Sequence, residues 1–235
     1  MARAAAVAVD TEFVMTDKDF ATISALAATH TGIVLAEHKR SMVYSRIARR
    51  ARATSTGSFR ECLQDLETHQ AQELDNFINA ITTNLTSFFR EPHHFDYLAS
   101  QLLPRLRQQN AVRKRLRIWS AGCSIGQEAY SIAMCVAEAR FPSDWDIRIL
   151  ATDLDSNVLA TGKRAVYPVD HGDSVPEALR SRYLRYSESG KELQVVQPLR
   201  DMVSFKRLNL LEEWPMKGPF DLIFCRNVVI YFNKD

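Results

Sequence analysis

Apolar side chains recur every three or four positions through roughly the first 110 residues, a period that predicts amphipathic helices. Thr16 can cap the first of these helices, and Gly32 follows its end. Ser58 and Glu61 have the spacing of a capping box, which predicts another helix start. The predicted helices cover 17–29, a stretch ending at about 53, a segment from 58, the region around 74–81, and 92 to about 110. We therefore expect an all-helical N-terminal part.

The pattern changes near Arg117, where short apolar runs begin to alternate with helical periods. Strands are predicted over 116–121 and 147–151, and helices over 128–140 and 156–163. Alternation of this kind is typical of a parallel sheet with right-handed crossover connections. The second part of the chain is therefore predicted to be an α/β domain.

This alternation is interrupted between 166 and about 202, which we interpret as a small antiparallel excursion. The elements predicted there are a helix at 177–184, a loop at 187–190 and strands at 193–196 and 202–205. A buried parallel strand is predicted next over 221–225, and the chain stays apolar from 227 to 232. Because an open α/β sheet usually has more strands, we expect the C-terminal part of the fold to lie beyond these residues, as in a truncated domain.

Composition excludes several classes of protein. Of the 235 residues, 46% are hydrophobic, too many for a disordered chain, and the net charge of +2 excludes a wholly basic nucleic-acid-binding protein. No apolar stretch reaches the ~18–20 residues of a membrane helix, so no membrane span is expected. Residues 1–15 lack the apolar core of a secretory signal and are predicted to be a disordered tail. Four cysteines without a Cys-x-x-Cys pair favour a reducing, cytoplasmic location.

Positive charge is concentrated in residues 37–60, where seven basic residues against one acidic residue leave a local charge of +6. Lys39, Arg46 and Arg50 fall on one helical stripe with Arg49 beside it, and apolar residues lie opposite. This pattern fits a solvated surface helix, a docking face for an acidic partner, or a nucleic-acid contact. The last is weakened by the acidic remainder of the chain and by the lack of an aromatic-rich basic groove.

A glycine turn from Gly122 to Gly126 joins a predicted strand to a predicted helix. Such a turn directs backbone N–H groups and a helix N-terminus at a ligand. Asp153 ends the next strand, where nucleotide-binding α/β folds place an acidic residue for ribose hydroxyls. The turn is not Gly-x-Gly-x-x-Gly, which disfavours NAD and leaves a nucleoside-type cofactor.

The same five residues match Gly-x-Ser-x-Gly, the nucleophile elbow of α/β-hydrolases. Ser124 would then need a catalytic histidine further along the chain, and His171 is the one histidine there. No oxyanion-loop motif precedes the turn. We keep a serine hydrolase as an alternative that Ser124→Ala would test.

Two further segments place polar residues in apolar surroundings. Arg90 follows two phenylalanines and is either a surface residue that caps a helix or a clamp for a carboxylate. Arg226 and Asn227 follow the carboxyl end of a predicted strand, where α/β sheets place ligands, and Tyr231 is either a core residue or an active-site hydroxyl. The adjacent pair His93–His94 diverges on a helix, so no metal site is predicted.

Together and in this order, these motifs resemble the CheR family, the S-adenosylmethionine-dependent protein-glutamate O-methyltransferases of bacterial chemotaxis. The similarity runs from about Phe20 to Asp235. It is carried by residues 83–91 (Thr-Asn-Leu-Thr-Ser-Phe-Phe-Arg-Glu), 119–133, 151–153, 209–211 and 220–232. The resemblance implies an all-helical domain at 16–90 and a Rossmann-like class I methyltransferase domain at 91–235, with a small antiparallel β-subdomain inserted at about 166–202.

The resemblance also implies a site for S-adenosylmethionine, with S-adenosylhomocysteine as product and no metal. Asp153 would hold the ribose hydroxyls, Asn209–Leu210 would lie beside the adenine, and Arg90 and Glu128 would contact the methionyl end. Arg90 and Tyr231 would lie nearest the transferred methyl group and are the candidate catalytic residues. The implied cofactor-binding residues are Asn84, Thr86, Arg90, Glu128, Asp153, Asn209, Leu210, Arg226 and Asn227.

The chemistry implied by the family fits these residues. A receptor glutamate is ionised at neutral pH and can attack a sulfonium methyl group without a strong general base. Such a reaction needs alignment of its atoms in a site that excludes water. In the family the N-terminal basic helix recognises the helical methylation region of chemoreceptors, so Lys39, Arg46, Arg49 and Arg50 are the expected docking residues, with Arg46 and Arg50 foremost.

The chain departs from the family pattern in three places. Gln127 and Ala129 stand where Glu and Pro are frequent in the family. The loop at 187–190 is short, which argues against the gripping of a C-terminal receptor peptide, and the family continues past Asp235 with further strands. A second hypothesis is therefore a methyltransferase-like binding module that docks a partner without turnover. We expect a monomer.

Overall fold

A computed structural model describes residues 13–53, 61 and 70–232 of the chain. These residues form two compact units, one of the described residues up to Ile81 and one of Thr82–Phe232. Most of the predicted disordered tail and of the capping box at 58–61 lies outside the described residues. Phe13 is buried and its N–H donates to the Tyr44 hydroxyl at 3.3 Å, so the first unit begins earlier than position 16.

The first unit contains three described helices: α1 (Asp17–Thr31), α2 (Arg40–Ala53) and α3 (Gln70–Ile81), with a 3-10 turn at Glu37–Lys39. Helix α1 begins with a capping box, in which the Thr16 hydroxyl accepts from the Asp19 N–H at 3.1 Å and the Asp19 carboxylate accepts from the Thr16 N–H at 2.9 Å. Gly32 ends the helix in the left-handed region at φ +67°. The predicted start and end are therefore confirmed within two residues.

Helices α1 and α2 both contact α3, and the apolar stripes of the three helices are buried. Their buried apolar residues are Phe20, Ile23, Ala27, Val43, Ile47, Ala48, Ala51, Phe77, Ile78 and Ile81. The helical periodicity of the sequence thus located the core of this unit, because residues three and four apart share a helix face.

The second unit opens with an extended segment from Thr82 and a broken helix. The helix predicted from 92 to 110 is α4 (His93–Tyr97), a π-helical turn (Leu98–Leu102) and α5 (Leu103–Gln109). Pro104 has no N–H to donate to the carbonyl four residues earlier, which accounts for the widened turn before it. The segment from 82 to 90 belongs to this unit, whereas the sequence placed it in the helical domain.

The strand and helix alternation of the second unit is confirmed. In chain order its elements are β1 (Arg115–Ala121), α6 (Gln127–Glu138), β2 (Asp146–Asp153), α7 (Ser156–Arg164), β3 (Val166–Pro168), α8 (Glu177–Tyr183), β4 (Leu184–Tyr186), β5 (Glu192–Val195), α9 (Gln197–Met202), β6 (Val203–Arg207) and β7 (Leu222–Phe224). The four-stranded sheet has the order β6-β2-β1-β7 with every pair parallel. The inserted antiparallel sheet has the order β3-β5-β4.

Two predicted strands differ from the structure in detail. The strand predicted at 202–205 pairs parallel with β2 as β6, so it belongs to the main sheet and not to the antiparallel excursion. The strand predicted as buried at 221–225 is only three residues long, and its Ile223 is 50% exposed. Continuous apolar sequence therefore identified both strands but not which neighbours would cover them. None of the described helices is long and apolar enough to cross a membrane.

Candidate cofactor site

The strand order reverses at β1: β2 and β6 lie on one side of this strand, and β7 lies on the other side. Ligands of open α/β sheets bind in the crevice at such a switch point, outside the carboxyl ends of the strands. The turn from Gly122 follows β1 at this edge, Asp153 ends β2, and Arg226 follows β7. The topology thus brings together three motifs that are spread over about 100 residues of the sequence.

The glycine turn after β1 is closely packed. The N–H groups of Gly122 and Cys123 both donate to the Thr152 carbonyl at 2.8 Å, which ties the turn to the end of β2. Gly126 has φ +88°, and a Cβ there would lie 2.8 Å from the Phe205 ring. Only glycine fits this position, so the backbone before α6 is held in one conformation.

Asp153 is fixed by two backbone N–H groups at the mouth of this turn. Its Oδ2 accepts from Ser124 at 2.7 Å, and its Oδ1 accepts from Asp155 at 3.0 Å. Burial raises the pKa of the Asp153 carboxyl, which these two hydrogen bonds partly oppose. The carboxylate is therefore pre-oriented where the sequence predicted a ribose-binding acid.

Asn84 is held by a second aspartate, which sequence reasoning did not select. Its side-chain Nδ2 donates to Asp155 Oδ2 at 2.7 Å, and its backbone carbonyl accepts from Ser124 Oγ at 3.0 Å. Thr82 Oγ1 donates to the same Asp155 oxygen at 2.8 Å. The signal for Asp155 was local, because an Asp before an apolar helical run is a typical N-cap.

Arg90 is placed by the two phenylalanines before it. Phe88 is fully buried with its ring 5.2 Å from that of Tyr167, and the Phe89 N–H donates to Ser131 Oγ at 3.0 Å. The Arg90 side chain is half-buried, and its Nη1 donates to the Leu85 carbonyl at 2.8 Å. Phe88 is a core residue, the half-buried Phe89 packs against that core, and Arg90 lies at its edge.

Glu128 and Arg226 form a nearly buried ion pair. Glu128 Oε2 lies 3.2 Å from Arg226 Nη1, and both side chains are 12% exposed. The other oxygen of Glu128 accepts from Ser120 Oγ at 2.7 Å. Burial raises the pKa of the Glu128 carboxyl, although the hydrogen bond from Ser120 and the charge of Arg226 oppose the rise.

Arg226 has a second carboxylate partner in Glu91, which the sequence motif contained but which was not selected as a site residue. Glu91 Oε2 lies 3.0 Å from Arg226 Nη2, and Glu91 Oε1 accepts from Asn227 Nδ2 at 3.4 Å. The hydrogen bond from Arg226, followed by that from Asn227, lowers the pKa of Glu91 to about 2. The two predicted cofactor residues Arg226 and Asn227 are thus joined to the segment that carries Arg90.

The loop after β6 places apolar and aromatic groups near the same sheet edge. Leu210 contacts the buried cluster around Trp119, and its carbonyl accepts from Trp214 Nε1 at 3.2 Å. The rings of Trp119 and Trp214 meet edge to face at 4.8 Å. Asn209 donates to Glu212 Oε1 at 3.0 Å, which closes the loop. An apolar surface beside the carboxyl ends of the strands is suited to an adenine ring.

The remaining predicted site residues are Thr86 and Tyr231. Thr86 is half-buried in the extended segment before Phe88. Tyr231 is half-buried at the end of a 3-10 turn, Val229–Tyr231. Among the described residues, no cluster of His, Cys, Asp or Glu has the arrangement of a metal site.

The geometry does not support the serine hydrolase. Ser124 is only 7% exposed, and its hydroxyl donates to the Asn84 carbonyl. The ring of His171 lies 3.0 Å from Gln127 Nε2 instead. A nucleophile elbow needs an exposed hydroxyl beside the catalytic histidine, and this turn presents neither.

The exposed face of α2 differs from the predicted basic stripe. Arg50 is 8% exposed and is ion-paired with Glu73, and Arg46 Nη1 donates to the Ile81 carbonyl at 2.9 Å. Arg49 and Arg52 are exposed, whereas Lys39 is half-buried in the preceding turn. Arg50, predicted as a leading docking residue, is therefore a buried structural ion-pair partner, because its charge is compensated inside this unit.

Fold and site together have the layout of an α/β domain for a nucleoside-type cofactor, and the described elements that precede this domain in the chain are helices. Two family models match the chain: the all-alpha domain of CheR methyltransferases over residues 18–82 and their S-adenosylmethionine-binding domain over 84–235. The chain therefore belongs to the CheR methyltransferase family, and it is a methyltransferase with an S-adenosylmethionine-binding domain.

Relatives of the same family are similar over most of the chain. It is 44% identical to chemotaxis protein methyltransferase 2 of Pseudomonas aeruginosa, over 95% of this chain and 79% of the relative. It is 41% identical to the chemotaxis protein methyltransferase of Salmonella typhimurium, over 94% of this chain and 75% of the relative. The corresponding Escherichia coli protein is 40% identical over 94% of this chain and 76% of its own length.

Proposed function

We propose that this protein transfers the methyl group of S-adenosylmethionine to glutamate side chains of chemoreceptors, leaving glutamate methyl esters and S-adenosylhomocysteine. The observation that carries the proposal is the pairing of Glu128 with Arg226 at the sheet edge where Asp153 lies. These side chains offer a carboxylate and a guanidinium to the ammonium and carboxylate groups of the methionyl end, and a second carboxylate to the ribose. The names of the relatives support the chemotactic role.

The donor set of the site fits the cofactor. Asp153 retains free lone pairs for a ribose hydroxyl, since each of its oxygens accepts one backbone hydrogen bond. Leu210 and the aromatic cluster beneath it provide apolar surface for the adenine. When bound, the cofactor supplies a methyl group activated by a sulfonium sulfur.

The substrate carboxylate needs little activation by the protein. One of its oxygens bonds to the methyl carbon while the carbon–sulfur bond breaks, and that electron pair stays on sulfur as a neutral thioether. The glutamate is already ionised near neutral pH, so the task of the protein is alignment and exclusion of water. We assign this positioning to the guanidinium of Arg90 and the hydroxyl of Tyr231.

For receptor recognition we propose the exposed side of α2. Arg49 and Arg52 are exposed on this helix, and a positive surface complements a helical receptor region rich in glutamate. This assignment replaces Arg50 by Arg52 and retains Arg46 and Lys39 as flanking positive charges. A cytoplasmic location is part of the same proposal, because the methylated region of a chemoreceptor and the cofactor would meet there.

The test combines cofactor binding with methyl transfer to a chemoreceptor cytoplasmic fragment, using radiolabelled S-adenosylmethionine. The double variant Arg49→Glu/Arg52→Glu should lower kcat/KM for the receptor at least tenfold while the Kd for S-adenosylhomocysteine is unchanged. The control is Lys163→Glu/Arg164→Glu, which reverses two exposed charges at the C-terminal end of α7, whereas Asp155 caps the N-terminal end of this helix. An equal effect of the control, or a matching loss of cofactor affinity, would contradict the docking face.

Two other outcomes bear on the enzymatic function itself. A wild-type protein that binds S-adenosylhomocysteine but methylates no receptor fragment would favour the binding module. A folded wild-type protein that binds no S-adenosylhomocysteine would refute the proposed cofactor site, because a ligand specific for the folded state must raise the melting temperature.

A further inference from the structure

Glu91 contacts two of the predicted cofactor residues without being one of them. Its Oε2 lies 3.0 Å from Arg226 Nη2, and its Oε1 accepts from Asn227 Nδ2 at 3.4 Å. The ring of His94 adds a third contact, with Nε2 3.3 Å from Glu91 Oε2. Glu91 therefore lies beside the predicted site rather than on an unrelated surface.

Arg226 is shared between two carboxylates. One side of its guanidinium contacts Glu128 at 3.2 Å, and the other contacts Glu91 at 3.0 Å and the Arg90 carbonyl. The guanidinium carbon also lies 5.4 Å from the centre of the Phe95 ring, which restricts where it can move. The guanidinium is thus held between its two partners.

The charges around Arg226 affect which ligand groups the site can bind. Arg226 and the two carboxylates leave a net charge of −1 when all are ionised, and the nearby guanidinium of Arg90, whose charge acts on both carboxyls, brings the total to zero, so Glu91 offsets a positive charge that would repel a cationic group of a ligand. Without Glu91 the total would be +1, and only the Arg90 carbonyl would hold Arg226 Nη2 away from Glu128. Glu128 would then have less capacity to accept a hydrogen bond from an ammonium group.

We propose that Glu91 is a positioning residue for the methionyl end of the cofactor. It draws one side of Arg226 away from Glu128, and so leaves the Glu128 carboxylate able to bind the cofactor ammonium group. This inference rests on the proposed function, since it assigns a role at the same site. Its effect is confined to the amino-acid part of the ligand, which separates it from a general role in folding.

The test compares two ligands that share the adenosine and thioether groups. S-adenosylhomocysteine carries the amino-acid end, whereas 5′-methylthioadenosine lacks it. In isothermal titration calorimetry, Glu91→Gln should raise the Kd for S-adenosylhomocysteine about tenfold and should change the Kd for methylthioadenosine less than twofold. Glu91→Asp keeps a carboxylate on a shorter side chain and should restore part of the lost affinity, with methylthioadenosine again unchanged.

Glu138→Gln is the matched control. Glu138 also accepts from an arginine, Arg182, and a neutral donor, Tyr183, and its side chain is 34% exposed against 41% for Glu91. This variant removes a similar ion pair outside the site and should leave both Kd values unchanged. Thermal melts of all variants check folding, and if Glu91→Gln does not melt cooperatively, Glu91→Asp carries the comparison.

An equal loss of affinity for the two ligands in Glu91→Gln would overturn the proposal, because a loosened fold would reduce the affinity for both alike. An unchanged affinity for S-adenosylhomocysteine would overturn it as well. Failure of the wild-type protein to bind either ligand would instead refute the proposed function.

Discussion

The carboxylate of Asp155 joins Asn84 to the start of α7, although the two residues are 71 positions apart. Its Oδ2 accepts from Asn84 Nδ2 at 2.7 Å, while its Oδ1 accepts from the N–H of Asn157 at 2.8 Å. One side chain that is 2% exposed therefore caps a helix and holds the segment that leads to Arg90.

The two tasks of Asp155 can be separated by substitution. Asp155→Ala removes both, and we expect a loss of about 1–2 kcal/mol in the free energy of unfolding from the cap, with further loss from the unpaired Asn84 amide. Asp155→Ser keeps a capping hydroxyl and should recover about 1 kcal/mol of this. Urea denaturation measures the difference.

Both variants should bind S-adenosylhomocysteine with lower affinity, because a serine that caps α7 cannot also reach Asn84 as the carboxylate does. Full recovery of ligand affinity in Asp155→Ser would show that only the helix cap matters for the site.

Gly126 is predicted to tolerate no side chain. Gly126→Ala would place a Cβ 2.8 Å from the Phe205 ring and 3.1 Å from the Gly162 Cα, at a φ of +88°. We expect a loss above the ~1–2 kcal/mol that a left-handed conformation costs an ordinary residue. A lower melting temperature and weaker S-adenosylhomocysteine binding should accompany it.

The control for this substitution is Gly190→Ala in the β4–β5 loop. Gly190 also has a positive φ of +66°, but a Cβ added at this residue would meet no atom within 4 Å, so only the backbone cost applies. Equal destabilisation by the two substitutions would contradict the close packing assigned to the turn.

The pH dependence of stability should have opposite signs for the two carboxyls that contact Arg226. The pKa of Glu91 is lowered to about 2 from an ordinary value of 4.5, so its contribution is present above 4.5 and is lost as the pH falls towards 2. The advantage of the wild type over Glu91→Gln in free energy of unfolding should therefore shrink on acidification. Urea unfolding over this pH range measures it.

Glu128 should behave in the opposite way, because burial raises its pKa and folding favours its neutral form. Its contribution is complete below the ordinary value of 4.5 and is lost as the pH rises through the raised value. The stability of the wild type relative to Glu128→Gln should therefore fall with rising pH. If the stability difference between wild type and variant changed with pH in the same direction for Glu91→Gln and for Glu128→Gln, the assigned environments would be contradicted.

Arg50 and Arg49 are neighbours with different expected roles. Arg50→Ala should destabilise the first unit by about 3 kcal/mol, since it leaves the mostly buried Glu73 without its cation. Arg49→Ala should change stability by less than about 0.5 kcal/mol, because Arg49 is exposed. Denaturation curves that ranked the two in the reverse order would contradict the placement of this helix face.

Much of the fold could be predicted because its elements follow from local rules. Thr16 caps α1 as expected, and the strands ending at Ala121 and Asp153 begin and end close to the predicted positions. The π-helical turn before Pro104 was missed, because the period of apolar residues hardly changes when one turn widens. The neighbours of β6 were also not predicted, since a short apolar strand has the same sequence pattern in the parallel sheet as in the antiparallel one.

The candidate site was predictable where a residue stands at the end of an element. Asp153 was selected because it ends a strand and Arg226 because it follows one, and the structure places both at the carboxyl edge of the sheet. Glu91 and Asp155 were not selected, since their importance lies in contacts with residues 135 and 71 positions away. The exposure of Arg50 was predicted wrongly, because a helical wheel does not show Glu73 on a neighbouring helix.

The sequence by itself determined the two-part organisation, the helix caps, the glycine turn and the family resemblance. All of these depend on residues close together in the chain, where backbone preference and periodicity act directly. Only the tertiary structure decided which carboxylates share Arg226, which aspartate holds Asn84 and which arginine of α2 is buried. Those outcomes depend on long-range pairing of charges removed from water, and the energy of such a pair is set by partners that no local pattern specifies.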